Sequence, residues 1–251
     1  MGASWIHGTR GNPLNNIAQS LNLKTRETDE RYIIRGGDGR VMRDADVPDW
    51  LDNVISVQHD AGADASEINR SAYLLDNDYG GSEVIFPGGY SQLFDEVKSA
   101  LNIRYGHVLS KVEITEDGVE LSDQMGQKAS FDAALITVPL GVFKKGNIAF
   151  SPPLPKRKME AISKLGMGTL DKVYLQYDEV FWDKDTTWII TPDNGLPKGQ
   201  FNQWLNLYPY IGKPVIVAFN GAQPALDLSK LPDTEVLRRA QQTLEMAYPL
   251  A

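Results

Sequence analysis

The sequence predicts an α/β chain (α+β mixed), with a mixed β-sheet, flanking helices and a separate β-meander. Three observations predict it. Residues 105–137 hold short apolar runs broken by turn residues. Strand-like runs recur at 171–178, 186–191, 201–207 and 214–220. Helical apolar spacing appears between and around these runs, most clearly near the carboxy terminus. At 251 residues the chain has room for one large domain or two small ones.

The elements follow in order. Asn12-Pro13 is a helix start, Asn as cap and Pro in the first turn, and Leu14, Ile17, Ala18 and Leu21 follow at helical spacing. Residues 31–35 and 40–42 read as a hairpin around Gly36-Gly37-Asp38-Gly39. The acidic stretch 44–82 reads as loop with a short helix. Leu93, Phe94, Val97, Ala100 and Leu101 make one helix face. In the meander, Thr115-Glu116-Asp117-Gly118 and residues 123–128 are turns. The run Ala133 to Val138, ended by Pro139, reads as a strand buried on both faces. A basic helix follows from Lys156 to Leu165 and stops at Gly166. The four later strands suit an antiparallel sheet. The last helix starts near Pro232-Asp233, with Val236, Leu237, Ala240, Leu244 and Ala247 on its apolar face.

Composition excludes several functions. With 25 basic and 33 acidic side chains the formal charge is −8. That argues against nucleic acid, which needs clustered Lys and Arg, and suits a cationic small molecule such as an amine. There is no cysteine, so disulfides, thiolate metal sites and cysteine nucleophiles are absent. No apolar run approaches the ~20 residues that span a bilayer, and no signal peptide is visible, so the default location is the cytoplasm.

Familiar motifs fail on inspection. Gly166-Met167-Gly168-Thr169-Leu170-Asp171 lacks the third glycine of a dinucleotide fingerprint and runs from helix to strand, the reverse of what a pyrophosphate needs. Asp76-Asn77-Asp78-Tyr79-Gly80-Gly81 has Pro87 where a calcium loop needs glutamate. His7, His59 and His107 show no metal-ligand spacing, so no metal site is expected.

Other segments carry a resemblance. Gly2-Ala3-Ser4-Trp5-Ile6-His7-Gly8 with Asn12-Pro13-Leu14, then Gly88 to Leu93, then Ile136 to Lys144 with Phe150 to Pro155, then Gly166 to Val173 and Phe181-Trp182, occur in one order. This series resembles the flavin-containing amine oxidases, the group that includes polyamine oxidases. The resemblance implies FAD, a small-molecule amine substrate, and oxidation of the amine to an imine with hydrogen peroxide as by-product. It implies that Gly2, Ala3, Ser4 and Trp5 line the flavin ring, where small residues allow close backbone approach. His7 would contact the substrate amine. Lys172 would hold a water at flavin N5, where charge develops. Without the resemblance, Lys172 reads as a solvated strand lysine that shares a face with Tyr174 and Gln176. Val108 would meet the adenine, and Thr137 and Pro139 would lie near the cofactor.

The chain also departs from that family. It has neither the amino-terminal βαβ unit that cradles the pyrophosphate nor the carboxy-terminal segment that returns to the flavin. The interval from His7 to Gly89 is short. The expected division is therefore 1–104 with the flavin-contact loop, 105–150 as the meander of an incomplete FAD-binding domain, and 151–251 as substrate-domain sheet and last helix. An uncovered meander face would favour self-association. Two functions follow: a piece of an amine oxidase active in a longer or complemented enzyme, or an inactive remnant or binding module of the same fold. An amino-acid oxidase or desaturase of the same flavoprotein group fits the Trp5-Ile6-His7-Gly8 loop less well.

Overall fold

The computed structural model describes residues 4–73 and 79–249. Gly2 and Ala3, and residues 76–78 of the acidic turn, lie outside the described residues. The chain forms two compact units, Met1–Val97 with Gly168–Ala251, and Lys98–Met167.

The first unit is built on a five-stranded sheet. Its order is Tyr32–Ile34, Trp188–Ile190, Gln203–Asn206, Val215–Gly221 and Leu170–Gln176. The last four are antiparallel, as expected, but Tyr32–Ile34 joins Trp188–Ile190 in parallel. The predicted hairpin forms only as a turn, with Gly36 N–H donating to Arg40 O at 2.9 Å and a single bridge from Arg35 to Val41. Its second arm is too short and exposed to compete. The Tyr32–Ile34 ladder goes instead to Trp188–Ile190, where Ile34 and Ile190 are buried with Leu51.

Alternation along the strands gives the sheet two unlike faces. One face carries Leu175, Ile189, Trp204, Ile216 and Ala218, which pack with Ala240 and Leu244 of the helix Asp233–Ala247. That is the main core. The other face carries Lys172, Tyr174, Val217, Phe219, Gln203, Leu205 and Trp188, and it faces the cavities described below.

Beside this face lies a small second sheet, Trp5–Ile6, Val84–Ile85 and Arg26–Glu27 in the order first, second, third. It packs on the helix Pro13–Ser20, whose cap Asn12 accepts from Leu14 N–H at 3.0 Å. The stretch read as loop and short helix contains a nearly continuous helical run. Trp50–Asn53 is α-helical, Val54–Gln58 widens to a π-turn, and His59–Ala61 closes it. A π-turn inserts one extra residue per turn and often marks a functional position. Gly221 lets this helix approach the sheet: a Cβ there would stand 2.3 Å from the Gln58 carbonyl oxygen.

Two buried polar networks tie the sheet to its loops. Asn206, with no exposed surface, accepts from Trp182 Nε1 at 2.9 Å and donates to the carbonyls of Asp183, Lys184 and Thr186. Arg35 makes a two-pronged bond to Asp183 at 2.7 and 2.9 Å, and Tyr248 donates to the same carboxylate at 2.6 Å. This ties the glycine turn and the residue after the last helix to one loop. Burial pushes the Tyr248 hydroxyl pKa well up, and its bond to Asp183 adds to that.

The second unit holds a four-stranded sheet of order Lys128–Phe131, Gly118–Asp123, Leu109–Thr115 and Ala149–Ser151. Leu109–Thr115 and Gly118–Asp123 lie where the meander was expected, its third strand is Lys128–Phe131, which was not predicted, and Ala149–Ser151 is parallel to Leu109–Thr115. One expectation is overturned here. Ala133 to Val138 is not a strand, and Leu135 is 89% exposed. An apolar run becomes a doubly buried strand only when neighbours pair with both edges, and among the described residues none does. Residues 151–167, grouped from sequence with the carboxy-terminal sheet, fall with this unit, which also includes the helix Lys156–Lys164.

Candidate active site

The register brings side chains from five strands into rows. Lys172 stands opposite Phe219, Phe219 opposite Gln203, Gln203 opposite Ile190, and Ile190 opposite Ile34. One step along, Tyr174, Val217, Leu205 and Trp188 form a parallel row. The loop Ser4–Gly8 then lays Trp5 over this face. Trp5 stacks on Trp188 at 6.1 Å with 13° between planes, and its Nε1 donates to Thr28 Oγ1 at 3.1 Å.

Lys172 lies among these rings. Its ammonium donates to Ser4 Oγ at 3.1 Å and sits 5.5 Å from the ring centres of both Trp5 and Phe219. Burial lowers its pKa, because the charged form loses water. Cation–π contact returns part of that loss.

Ser4, Trp5, Lys172 and Phe219 line two cavities at once. One, of about 440 Å³, is apolar and aromatic, with Phe86, Tyr90, Leu205 and Val217. The other, of about 630 Å³, is acidic, with Glu30, Asp60 and Glu83 beside His7 and His59. The four residues form the partition between them. His7 is exposed, and its Nδ1 lies 2.6 Å from Glu83 Oε2; Gly8 N–H donates to Glu83 Oε1 at 2.8 Å. Glu83 is thus fixed by the loop that carries His7.

The structure therefore brings four of the predicted residues together: Ser4, Trp5, His7 and Lys172. Gly2 and Ala3 lie outside the described residues. Val108, Thr137 and Pro139 belong to the other unit. There Thr137 lines a cavity of about 340 Å³ with Leu109, Phe131 and Ile136. Val108 is exposed just before its strand, and its carbonyl accepts from Gln124 N–H at 2.9 Å. Pro139 caps the helix Leu140–Lys145.

Sequence reasoning missed Glu83, Trp188, Gln203, Phe219 and His59. Phe219 and Gln203 follow from strand register, which no single strand reveals. His59 is 6% exposed, with Nδ1 2.7 Å from Gln203 Oε1 and Nε2 buried without a partner. Burial lowers its pKa from 6.5, and the Gln203 bond only partly offsets this.

A pH dependence follows. The unfolded chain binds a proton at His59 near pH 6.5, whereas the folded chain resists it until lower pH. Stability is therefore full above that value and falls as pH drops below it. The Asp183 carboxylate, whose burial is outweighed by Arg35 and Tyr248, has its window below 3.8, so the two are separable. We expect the thermal midpoint to decline between pH 6.5 and 5, and His59→Asn to flatten that decline, as read by melts across pH.

Comparison with known proteins identifies the family. Residues 64–251 match the family described as flavin containing amine oxidoreductase. The chain is 33% identical over 187 residues to polyamine oxidase 2 of Arabidopsis thaliana, covering 74% of this chain and 38% of that protein. It is 30% identical over 211 residues to lysine-specific histone demethylase 1 homolog 2 of Oryza sativa subsp. japonica, covering 82% of this chain and 27% of that protein. The chain thus spans less than half the length of these relatives. A solved putrescine oxidase double mutant superposes with a TM-score of 0.67 at 15% identity, over 99% of this chain and 70% of that one, which shows the shared fold. From the match over 64–251, the chain belongs to the flavin-containing amine oxidoreductase family.

Proposed function

We propose that the partitioned cavity is the amine-binding end of an FAD-dependent amine oxidase, working as part of a longer or complemented enzyme. The partition itself carries this reading. A half-buried ammonium held between two aromatic rings separates an acidic cavity from an apolar one. An alkylamine has the same two-sided chemistry, a cation and a methylene chain.

The residues present fit the ring end of FAD. Lys172, Ser4 and Trp5 offer a cation, a hydroxyl and a flat wall at one point. A pyrophosphate cradle is a different matter: the chain has no G-x-G-x-x-G turn. Bound flavin supplies an acceptor for the hydride leaving the carbon beside the nitrogen. Glu83 supplies the countercharge for the substrate ammonium. His7, in contact with Glu83, takes the proton that the nitrogen must lose at its second ring nitrogen. Lys172 orients a water at the reacting face. In this proposal Val108 meets the adenine, and Thr137 and Pro139 lie near the cofactor.

Glu83→Gln removes the countercharge and keeps the shape. We expect it to weaken amine binding by about 10-fold, measured by calorimetry or by fluorescence of the cavity tryptophans Trp5 and Trp188.

The deciding experiment is a visible spectrum after incubation with FAD and desalting. A retained band near ~450 nm, bleached by amine without oxygen, supports the oxidase. A colourless protein means that catalysis must be sought in the longer or complemented form, and amine binding with no flavin taken up there supports the rival, a binding module that keeps the substrate sheet without redox chemistry.

A further inference from the structure

We propose that Gln203 sets substrate specificity at this site, favouring amines that carry a hydrogen-bond-accepting oxygen some distance from the oxidised nitrogen. This rests on the amine-binding reading above.

Three observations converge on Gln203. The first is position. In the row Lys172, Phe219, Gln203, it stands two strands from Lys172. At ~4.8 Å per strand that is about 10 Å. A group bound at Gln203 is therefore far enough from the Lys172 partition to be a separate part of the same substrate.

The second is the cavity. The acidic cavity adjoins another of about 400 Å³ that runs toward Tyr32, Asp44 and Asp52. The two share Glu30, Ile55, Trp188 and Gln203. A chain passing from one to the other must pass this neck. Its wall is Ile55 and Trp188 apart from Glu30, which accepts hydrogen bonds as a carboxylate, and Gln203. Gln203 offers two neutral donors there, beside the single indole N–H of Trp188.

The third is the hold on its carboxamide. His59 Nδ1 lies 2.7 Å from Gln203 Oε1. A carboxamide oxygen can only accept, so His59 carries its proton on Nδ1. The other ring nitrogen then keeps a bare lone pair, which suits its buried and unpartnered position. The opposite tautomer would bury an N–H with no acceptor, a costlier arrangement. Burial favours the neutral ring. With Oε1 occupied, Gln203 turns its NH2 to the cavity it lines. Two donors beside Ile55 and the Trp188 ring discriminate: an oxygen acceptor satisfies them, and a bare methylene chain strips their water and returns nothing. His59 is the positioning residue, because it fixes which end of the amide the substrate meets.

The test uses the full chain and two probes of equal charge and similar length. One is hexanediamine acetylated on one nitrogen; the other is n-octylamine. Binding is read by calorimetry and by cavity tryptophan fluorescence. Wild type should prefer the acetylated probe. Gln203→Met should weaken that probe about 5- to 10-fold and change octylamine less than about 2-fold. Gln203→Glu, which replaces the donors with an acceptor and adds negative charge, should weaken the acetylated probe and strengthen octylamine. A misfolded protein cannot produce that opposite movement. His59→Leu lets the amide reverse, so it should weaken the acetylated probe more than octylamine and narrow the preference between them. Equal changes in both probes, or no change in either, overturn the role of Gln203 and leave amine binding standing. Wild-type protein that binds neither probe overturns both readings.

Discussion

Lys172→Met, in flavin-loaded protein, is expected to slow amine oxidation by about 10²- to 10³-fold with the fold intact. Methionine matches the length of the lysine stem and keeps apolar contact with Trp5 and Phe219, so what it removes is the cation and its donors. Those donors meet Ser4 Oγ at 3.1 Å, on the partition between the two cavities. A fixed donor aimed at developing charge, in a site that excludes water, is worth more than the same group in solvent. The measurement is peroxide release beside a thermal melt. Separating anaerobic flavin reduction from reoxidation then shows which half-reaction the ammonium serves. Unchanged turnover in a folded variant would remove Lys172 from the chemistry.

Trp204→Ala should cost about 3–5 kcal/mol of stability. Trp204 has no exposed surface and lies on the core face of the central strand. It stacks on Phe201 with ring centres 5.9 Å apart, and its Nε1 donates to Phe201 O at 3.0 Å and Thr191 Oγ1 at 3.2 Å. Truncation leaves a cavity and also strips a donor from Thr191, which is itself buried. The neighbours cannot collapse inward, because Ile189 and Ile216 are held by strands on either side. Denaturant unfolding of this variant measures the loss. A change below about 1 kcal/mol would mean the core face repacks far more freely than close-packed interiors do.

The core face was legible because its residues are apolar. Strands 170–176, 188–190, 203–206 and 215–221 announce themselves as short runs rich in apolar residues, and the last helix does so by its spacing. What failed was pairing. Ala133 to Val138 has the composition of a buried strand, yet strand character needs edges to bond, and composition does not supply them. The two-residue strands Trp5–Ile6 and Val84–Ile85 are too short for any period to show. The site divides the same way. Lys172, Trp5 and His7 stood out through resemblance. Glu83 and Gln203 are ordinary residues that matter only through partners 75 and 144 positions away. His59 looked like one of three scattered histidines, and burial beside a π-turn is what distinguishes it.

The parallel pairing of Tyr32–Ile34 with Trp188–Ile190 has a consequence for how the protein is made. A chain leaving the ribosome presents the first strand long before its mate exists. At roughly 5–20 residues per second the wait is on the order of ten seconds or more. Throughout it, Ile33 and Ile34 have no native ladder, and they stand as a sticky nascent edge that a chaperone is suited to cover. Slowing translation should therefore lower the soluble yield of this protein more than that of one whose strands pair only with near neighbours.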